Sequence, residues 1–281
     1  LALKNNQMEL STLMFTVFTP TFNRAKTLHR CYESILHQGY DDIEWIIIDD
    51  GSTDNTKDIV NNFIKDGKIH INYIYQNNAG KQSAWNRAIK EARGEFFIGL
   101  DSDDELVSSA LLKLKPYVKL LDERKDLIGL RCLAIRKSTG KPDSLFQVGG
   151  GGIASWYDEF ASAIFGERID VFKTKIISEF PYPVVDGVKF IPEIWFYSIV
   201  SKKYKFIYLD EPLSIFHDQE VVGRLSKSSF SMNARGHLIS RSAMLKNIPI
   251  RCFMKNPIGF IKTVIRYFQA VLYCILKRYK I

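Results

Sequence analysis

The sequence predicts an α/β fold: a mainly parallel sheet flanked by helices, with amphipathic helices at the C-terminal end. Three observations predict it. Short β-rich apolar runs alternate with segments of helical period from Phe15 to Ile135. Each run empties into a polar loop, as strands do at the carboxyl edge of a parallel sheet. Beyond Glu220 the acids stop, while basic and apolar residues continue at helical spacing.

The elements follow in order. Phe15–Thr19, ending at Pro20, reads as a buried strand, and Arg24–Gln38 as a helix through Leu28, Cys31, Ile35 and Leu36. Ile43–Ile48 is the second strand. Asp54 caps a helix running to about Lys65, with Ile59, Phe63 and Ile64 on one face. Ile69–Tyr75 alternates as a third strand. Lys81–Ala92 is a helix, Glu95–Leu100 a fourth strand, Ser108–Leu121 a helix interrupted near Pro116, and Leu127–Ile135 a fifth strand. The alternation then stops. Lys137–Asp143 and the tetraglycine Gly149–Gly152 are expected as mobile loop, since glycine loses much backbone entropy when ordered. A helix at Glu193–Lys203, strand-like runs at Lys205–Leu209 and Pro212–Phe216, and helical periodicity after Ala234 complete the reading.

Composition excludes several classes. With 46 % hydrophobic and 25 % charged residues, the chain is not intrinsically disordered. Its 39 Lys+Arg and 31 Asp+Glu give a net charge of +8, but twelve of the basic residues and none of the acids follow Glu220. The first 220 residues therefore carry 27 basic against 31 acidic groups, a net of −4. An acidic body with a basic tail does not suit wrapping by nucleic acid. The four cysteines contain no C-x-x-C pair, so neither a zinc module nor a redox pair is expected. No secretory signal stretch is evident, and no run of about 18 uninterrupted apolar residues suggests a membrane span.

The chemistry concentrates after the fourth strand, where Asp101, Asp103, Asp104 and Glu105 are four acids in five positions. Charges this dense call for a cation, and oxygen donors favour Mg²⁺ or Mn²⁺. The alternative is a helix N-terminus enriched in acids. Asp49 and Asp50 follow the second strand in the same way, and the two acidic loops are expected to meet.

In order and at strand ends, four motifs resemble the family 2 glycosyltransferases of the GT-A fold: Thr19-Pro20-Thr21-Phe22-Asn23-Arg24, Ile48-Asp49-Asp50-Gly51-Ser52-Thr53-Asp54, Asn78-Ala79-Gly80-Lys81 with Ala84 and Asn86, and Leu100-Asp101-Ser102-Asp103-Asp104. The match is clear from Phe15 to Leu106 and weaker to Pro212. The resemblance implies a nucleotide site of Pro20, Thr21, Phe22, Asn23, Arg24, Asp50, Lys81, Asp101 and Ser102. Phe22 would stack on the base, Asp50 accept from it, Lys81 face the diphosphate, and Asp103 ligate the metal. Asp104 and His217 are further candidate ligands. Ala79 and Ala88 depart from the commoner glycines of the third motif, which puts the details of phosphate contact in doubt.

The resemblance further implies a catalytic domain over residues 1–220, with a nucleotide-binding half at about 12–136 and an acceptor half at about 137–220. A basic helical extension covers 221–281. The expected reaction is inverting transfer of a hexose or N-acetylhexosamine from a UDP-sugar to a glycan or polyprenyl-diphosphate-linked acceptor. Glu193 is the first candidate for the base and Asp186 the second. Trp156 and Tyr157, after the tetraglycine, are candidate acceptor contacts.

From Ile258 onward, Lys262, Arg266, Gln269, Tyr273, Lys277 and Lys280 form one polar stripe on a wide apolar helix. This fits a helix lying on the inner membrane surface, and hence a cytoplasmic, peripheral protein. Packing on the body or on a second subunit is the alternative. Two other functions fit the residues less well. A sugar-nucleotide pyrophosphorylase needs an Arg- and Lys-bearing glycine loop after the first strand, where this chain has Thr19–Asn23. A non-enzymatic module binding anionic lipid or nucleic acid leaves the acids at successive strand ends without a role.

Overall fold

Burial on two faces decides the central strands. The computed structural model describes residues 14–39, 41–149, 151–219 and 229–277. In it β1 (Phe15–Thr21), β2 (Ile43–Asp49), β3 (His70–Tyr75) and β4 (Phe96–Gly99) lie in the order β3-β2-β1-β4, all parallel. Along β2, Ile43, Trp45 and Ile47 enter one core, while Ile46 and Ile48 enter the other. The first core is closed by α1 (Leu28–Leu36), α2 (Thr56–Asp66) and α4 (Ala110–Glu123). The second is closed by α3 (Lys81–Glu91), α5 (Trp156–Ser162) and α7 (Ile194–Val200). A short α6 (Thr174–Ile177) lies between the last two.

The sheet is mixed beyond β4. It continues through β9 (Arg168–Lys173), β6 (Leu127–Arg136), β10 (Lys205–Phe216) and β5 (Glu105–Leu106). β9 is antiparallel to both β4 and β6, and β5 is antiparallel to β10. The sequence reading missed β9 because Asp170 interrupts its apolar pattern. That charge is tolerated where Arg131 lies directly opposite on β6. The two strand-like runs before His217 are one strand, β10, with irregular register on either side of Pro212, which has no N–H to give the ladder.

Other expectations are corrected here. Lys137–Asp143 is no open loop: β7 (Lys141–Pro142) folds back on β6, and Asp143 pairs with Arg136. After the tetraglycine, whose Gly150 lies outside the described residues, β8 (Ile153–Ala154) pairs with β10. α4 runs unbroken through Pro116, because Leu114, Val118 and Leu121 bury its inner face on both sides of the missing N–H bond.

The C-terminal extension is built from α8 (Ala234–Asn247), α9 (Ile250–Lys255) and α10 (Pro257–Leu276). α8 packs on α7, and α10 packs on α8. Buried Asn256 joins extension to body: its amide nitrogen donates to the Phe160 carbonyl, and its amide oxygen caps α10 at Gly259 N. α10 buries Thr263, Ala270 and Cys274. On its opposite face Ile261, Ile265, Phe268 and Leu272 are exposed, the last two by 63 % and 56 %. Lys262 flanks that face, while the Arg266 guanidinium lies over the Phe230 ring. By length and composition α10 can cross a membrane, which the charges along it had argued against at the level of sequence. Arg224, Lys227, Arg278 and Lys280 of the basic tail lie outside the described residues.

Candidate active site

Strand order reverses at β1, which has β2 on one side and β4 on the other, so their carboxyl ends frame a crevice. The two acidic loops, expected from the sequence to meet, are therefore not neighbours: the loop after β1 lies between them. Asn23 joins it to the loop after β2. It adopts a left-handed conformation (φ 54°), donates its N–H to Ser52 Oγ at 2.8 Å, and accepts from Thr53 N at 2.7 Å. Asp54 accepts from Ala25 N and from the Thr56 hydroxyl; burial opposes its charge, but these bonds hold its carboxyl below the ordinary range. Phe22 stands 48 % exposed in the same loop. The neighbouring Thr21 hydroxyl is buried and has no partner among the described residues.

Asp50 is buried, and its carboxylate serves the chain itself. It accepts from Gln76 Nε2, Ala79 N and Gly80 N, each at 2.8 Å, leaving about one of its four acceptor directions open. These bonds fix the turn that starts α3. Gly80 is needed there: its φ is +95°, and a Cβ would stand 2.3 Å from the Lys189 carbonyl oxygen.

The loop after β4 is held from beneath by α1. Thr27 Oγ1 donates to the Ser102 carbonyl, Arg30 Nη1 to that of Asp103, and Cys31 Sγ to those of Asp101 and Asp104. Burial, then the Asp104 charge, pushes the Cys31 thiol well up, so it stays a donor. Ser102 and Asp103 are buried, and Arg24 Nη2 lies 3.8 Å from Asp103 Oδ2. Pairing of β5 with β10 brings in the C-terminal end of β10. His217 N donates to Asp104 Oδ1 at 3.0 Å, and its Nε2 meets Glu105 Oε1 at 3.0 Å.

Lys81, at the start of α3, reaches both halves. Its ammonium lies 2.8 Å from Asp101 Oδ1 and 3.1 Å from Glu193 Oε1, at the N-terminus of α7. Burial works against the charge, yet the two carboxylates outweigh it and raise the lysine well above its ordinary value. Three residues read separately from the sequence, 112 positions apart at the extremes, thus meet at one point.

Residues 16–150 match the family model described as Glycosyl transferase family 2. The chain carries a family 2 glycosyltransferase domain. Over 102 residues it is 42 % identical to the GalNAc(5)-diNAcBac-PP-undecaprenol beta-1,3-glucosyltransferase of Campylobacter jejuni, covering 35 % of this chain and 32 % of that one. Over 110 residues it is 39 % identical to glycosyltransferase GlyG of Streptococcus pneumoniae, covering 39 % and 36 %. The matches thus span about a third of these relatives. Among solved structures, S. aureus TarS 1–349 in complex with UDP-GlcNAc superposes with a TM-score of 0.64 at 21 % identity, over 91 % of this chain and 73 % of that one. The mannosyltransferase PcManGT from Pyrobaculum calidifontis, in complex with GDP-Man and Mn²⁺, gives 0.61 at 17 %, over 93 % and 74 %. The fold is GT-A, as expected, with the antiparallel strands described above.

The remaining candidates fall into place unevenly. Among the described residues no three His, Cys, Asp or Glu side chains converge to hold an ion alone. The donor set still fits a hard cation completed by substrate, since Mg²⁺ sites commonly join one or two carboxylates to a diphosphate. Asp103, with Asp104 beside it, would supply such carboxylates.

Trp156 and Tyr157 do not reach the site. Both are in the core; Trp156 stacks on Tyr197, and the Tyr157 hydroxyl donates to the Ser198 carbonyl. The glycines before them suggest a lid, but apolar burial takes both rings inward. Asp186 is an exposed turn residue whose carbonyl accepts from Arg235 Nη1. The sequence reading missed Thr27 and Arg30, which look like surface positions of an ordinary helix. It also missed Glu167, in the turn before β9. Its side chain is exposed at the surface, and crowding by the surrounding protein, then the charges of Glu193 and Asp101, raises that carboxyl.

Proposed function

We propose that this chain is an inverting, metal-dependent glycosyltransferase moving a hexose or N-acetylhexosamine from a UDP-sugar to a glycan or polyprenyl-diphosphate-linked acceptor. The meeting of Lys81 with Asp101 and Glu193 carries the reading, because it joins the nucleotide side of the crevice to the acceptor side. Phe22 covers the base, while Asn23 and Asp50 hold the loops around it. Asp101 and Ser102 lie toward the ribose. Glu193 takes the proton of the acceptor hydroxyl as that oxygen attacks the anomeric carbon; the bond to the diphosphate breaks, and the configuration inverts. Mn²⁺ or Mg²⁺, held by Asp103 with Asp104 and His217 nearby, would supply positive charge against the departing diphosphate. The Campylobacter relative is named for a lipid-linked acceptor, which supports the same acceptor class here.

A screen of UDP-Glc, UDP-Gal, UDP-GlcNAc and UDP-GalNAc tests the reading. Turnover of at least one with Mn²⁺, lost on adding EDTA, is expected. Turnover of GDP-mannose alone, or of no donor, would reject it.

The exposed outward face of α10 supports attachment to the cytoplasmic face of the membrane, with residues 1–220 as catalytic domain and 221–281 as attachment. Burying Phe268 and Leu272 in lipid contributes about 1.5–3 kcal/mol each, and the flanking Lys262 adds about 1 kcal/mol on an anionic leaflet. Co-sedimentation with phosphatidylglycerol vesicles should fall tenfold or more in Phe268→Glu/Leu272→Glu. Equal sedimentation of variant and wild type would remove the membrane role.

A further inference from the structure

We propose that Lys81 reports donor occupancy to Glu193: its ammonium rests on Glu193 Oε1 and moves onto the diphosphate when the donor binds, which frees that oxygen for the acceptor. This rests on the reading of the site just given and adds a step to it. One ammonium is shared by two carboxylates, at 2.8 and 3.1 Å, so the three groups together carry one net negative charge. An oxygen lone pair that accepts from an ammonium is not open to an acceptor hydroxyl. Lys81 therefore occupies Glu193 Oε1, one of the two oxygens that could take the acceptor's proton.

The surroundings favour exchange of partners over movement of backbone. The start of α3 is fixed against the acceptor segment, with Gly80 directly on the Lys189 backbone and Gln82 Nε2 donating to the Ile191 carbonyl at 3.3 Å. The side chains have more freedom. Glu193 is 56 % and Asp101 49 % exposed, so either can pass to water without being stranded. Lys81 is 26 % exposed and loses more solvent, so it leaves one anion only for another. A diphosphate, with more charge than a carboxylate, is such an anion, and a lysine can follow it as a mobile point charge. Without donor, Lys81 then keeps Glu193 Oε1 engaged, and acceptor activation through that oxygen waits for the sugar nucleotide.

Calorimetric titration with UDP and Mn²⁺ tests the exchange without any turnover. Binding has to break the Lys81–Glu193 pair, so Glu193→Gln should tighten UDP about two- to fivefold, the range of a partly exposed ion pair. Lys81→Met should weaken it. In the Lys81→Met background Glu193→Gln should change nothing, and uridine should bind wild type and Glu193→Gln alike. Unchanged UDP affinity in Glu193→Gln would overturn the proposal. So would the same tightening in the Lys81→Met background, which would show simple removal of a negative charge. Lys81→Gln serves as a second variant should Lys81→Met melt early. Normal turnover by Glu193→Gln would reject Glu193 as the base, whereas these titrations address the exchange alone. A wild type that binds no UDP would remove the donor, and the exchange with it.

Discussion

Glu193→Gln is expected to lower sugar transfer by at least two orders of magnitude while the protein stays folded and binds UDP. A positioned general base contributes about 10²- to 10⁴-fold, and glutamine keeps the shape of the side chain but cannot take the proton. The fold should not suffer. Glu193 is 56 % exposed, and its side chain makes no capping bond to α7. Stability should therefore change by no more than about 0.5 kcal/mol. Single-turnover transfer from a donor found in the screen is the measurement, with UDP titration as the control. Turnover near the wild-type rate would end the assignment. Glu167 and Asp186 should be replaced in parallel, since Glu167 also lies close enough to feel the Glu193 charge. Loss of transfer in Glu167→Gln with normal Glu193→Gln would move the role across the crevice.

The nucleotide half was readable because local signals there agree with tertiary structure. β1, β2 and β4 are buried on both faces, so they show as β-rich, mostly apolar runs bounded by polar loops, even with Thr16, Thr19 and Glu44 inside them. The loops after β2 and β4 carry clustered acids, which a plain structural turn does not need. What could not be read was the partner each polar atom chooses. Asp50 looks like a ligand-facing carboxylate in sequence, yet most of its bonding capacity goes to Gln76, Ala79 and Gly80. Asp54 reads as a helix cap, and it does accept from Thr56 N; its bond to Ala25 N, from the loop after β1, has no local signature.

The second half resisted for a different reason. Its strands are stabilised by pairs far apart in sequence, so no window shows them. β5 is two residues long and exists only against β10, yet it places His217 beside Glu105. The sequence presents α10 as amphipathic, with one apolar side and one basic stripe. It has two sides, one buried through Ala270 and Cys274 where α10 packs on α8 of the same extension, and one apolar and facing out.

β9 shows the same dependence in energetic form, and Arg131→Met should expose it. Arg131 is 4 % exposed and lies 3.3 Å from Glu159 Oε2 and 3.0 Å from Asp170 Oδ2, with its guanidinium 4.4 Å from the Tyr197 ring centre. Removing one partner of a buried ion pair costs about 3–5 kcal/mol, because the other is left charged without compensation. Here two carboxylates would be left. Asp170 already shows the strain of that position: burial pushes its carboxyl up to about 6, although Arg131 and the Tyr197 hydroxyl hold it down. A carboxyl raised on folding keeps a proton that the unfolded chain has shed. Its favourable contribution is therefore full at low pH and is lost as pH rises through about 6. Without Arg131 the value climbs further and the loss at neutral pH deepens. Denaturant unfolding should show a large gap between variant and wild type at pH 7.5 that narrows at pH 5. A gap below about 1 kcal/mol, or one that ignores pH, would contradict this account. The consequence reaches the site, because Tyr197 donates to Asp170 from α7, the helix that begins just after Glu193. A variant that survives at pH 7.5 should then bind UDP normally but transfer sugar poorly, since β9 anchors the acceptor side of the crevice and leaves the nucleotide side to β1, β2 and α1.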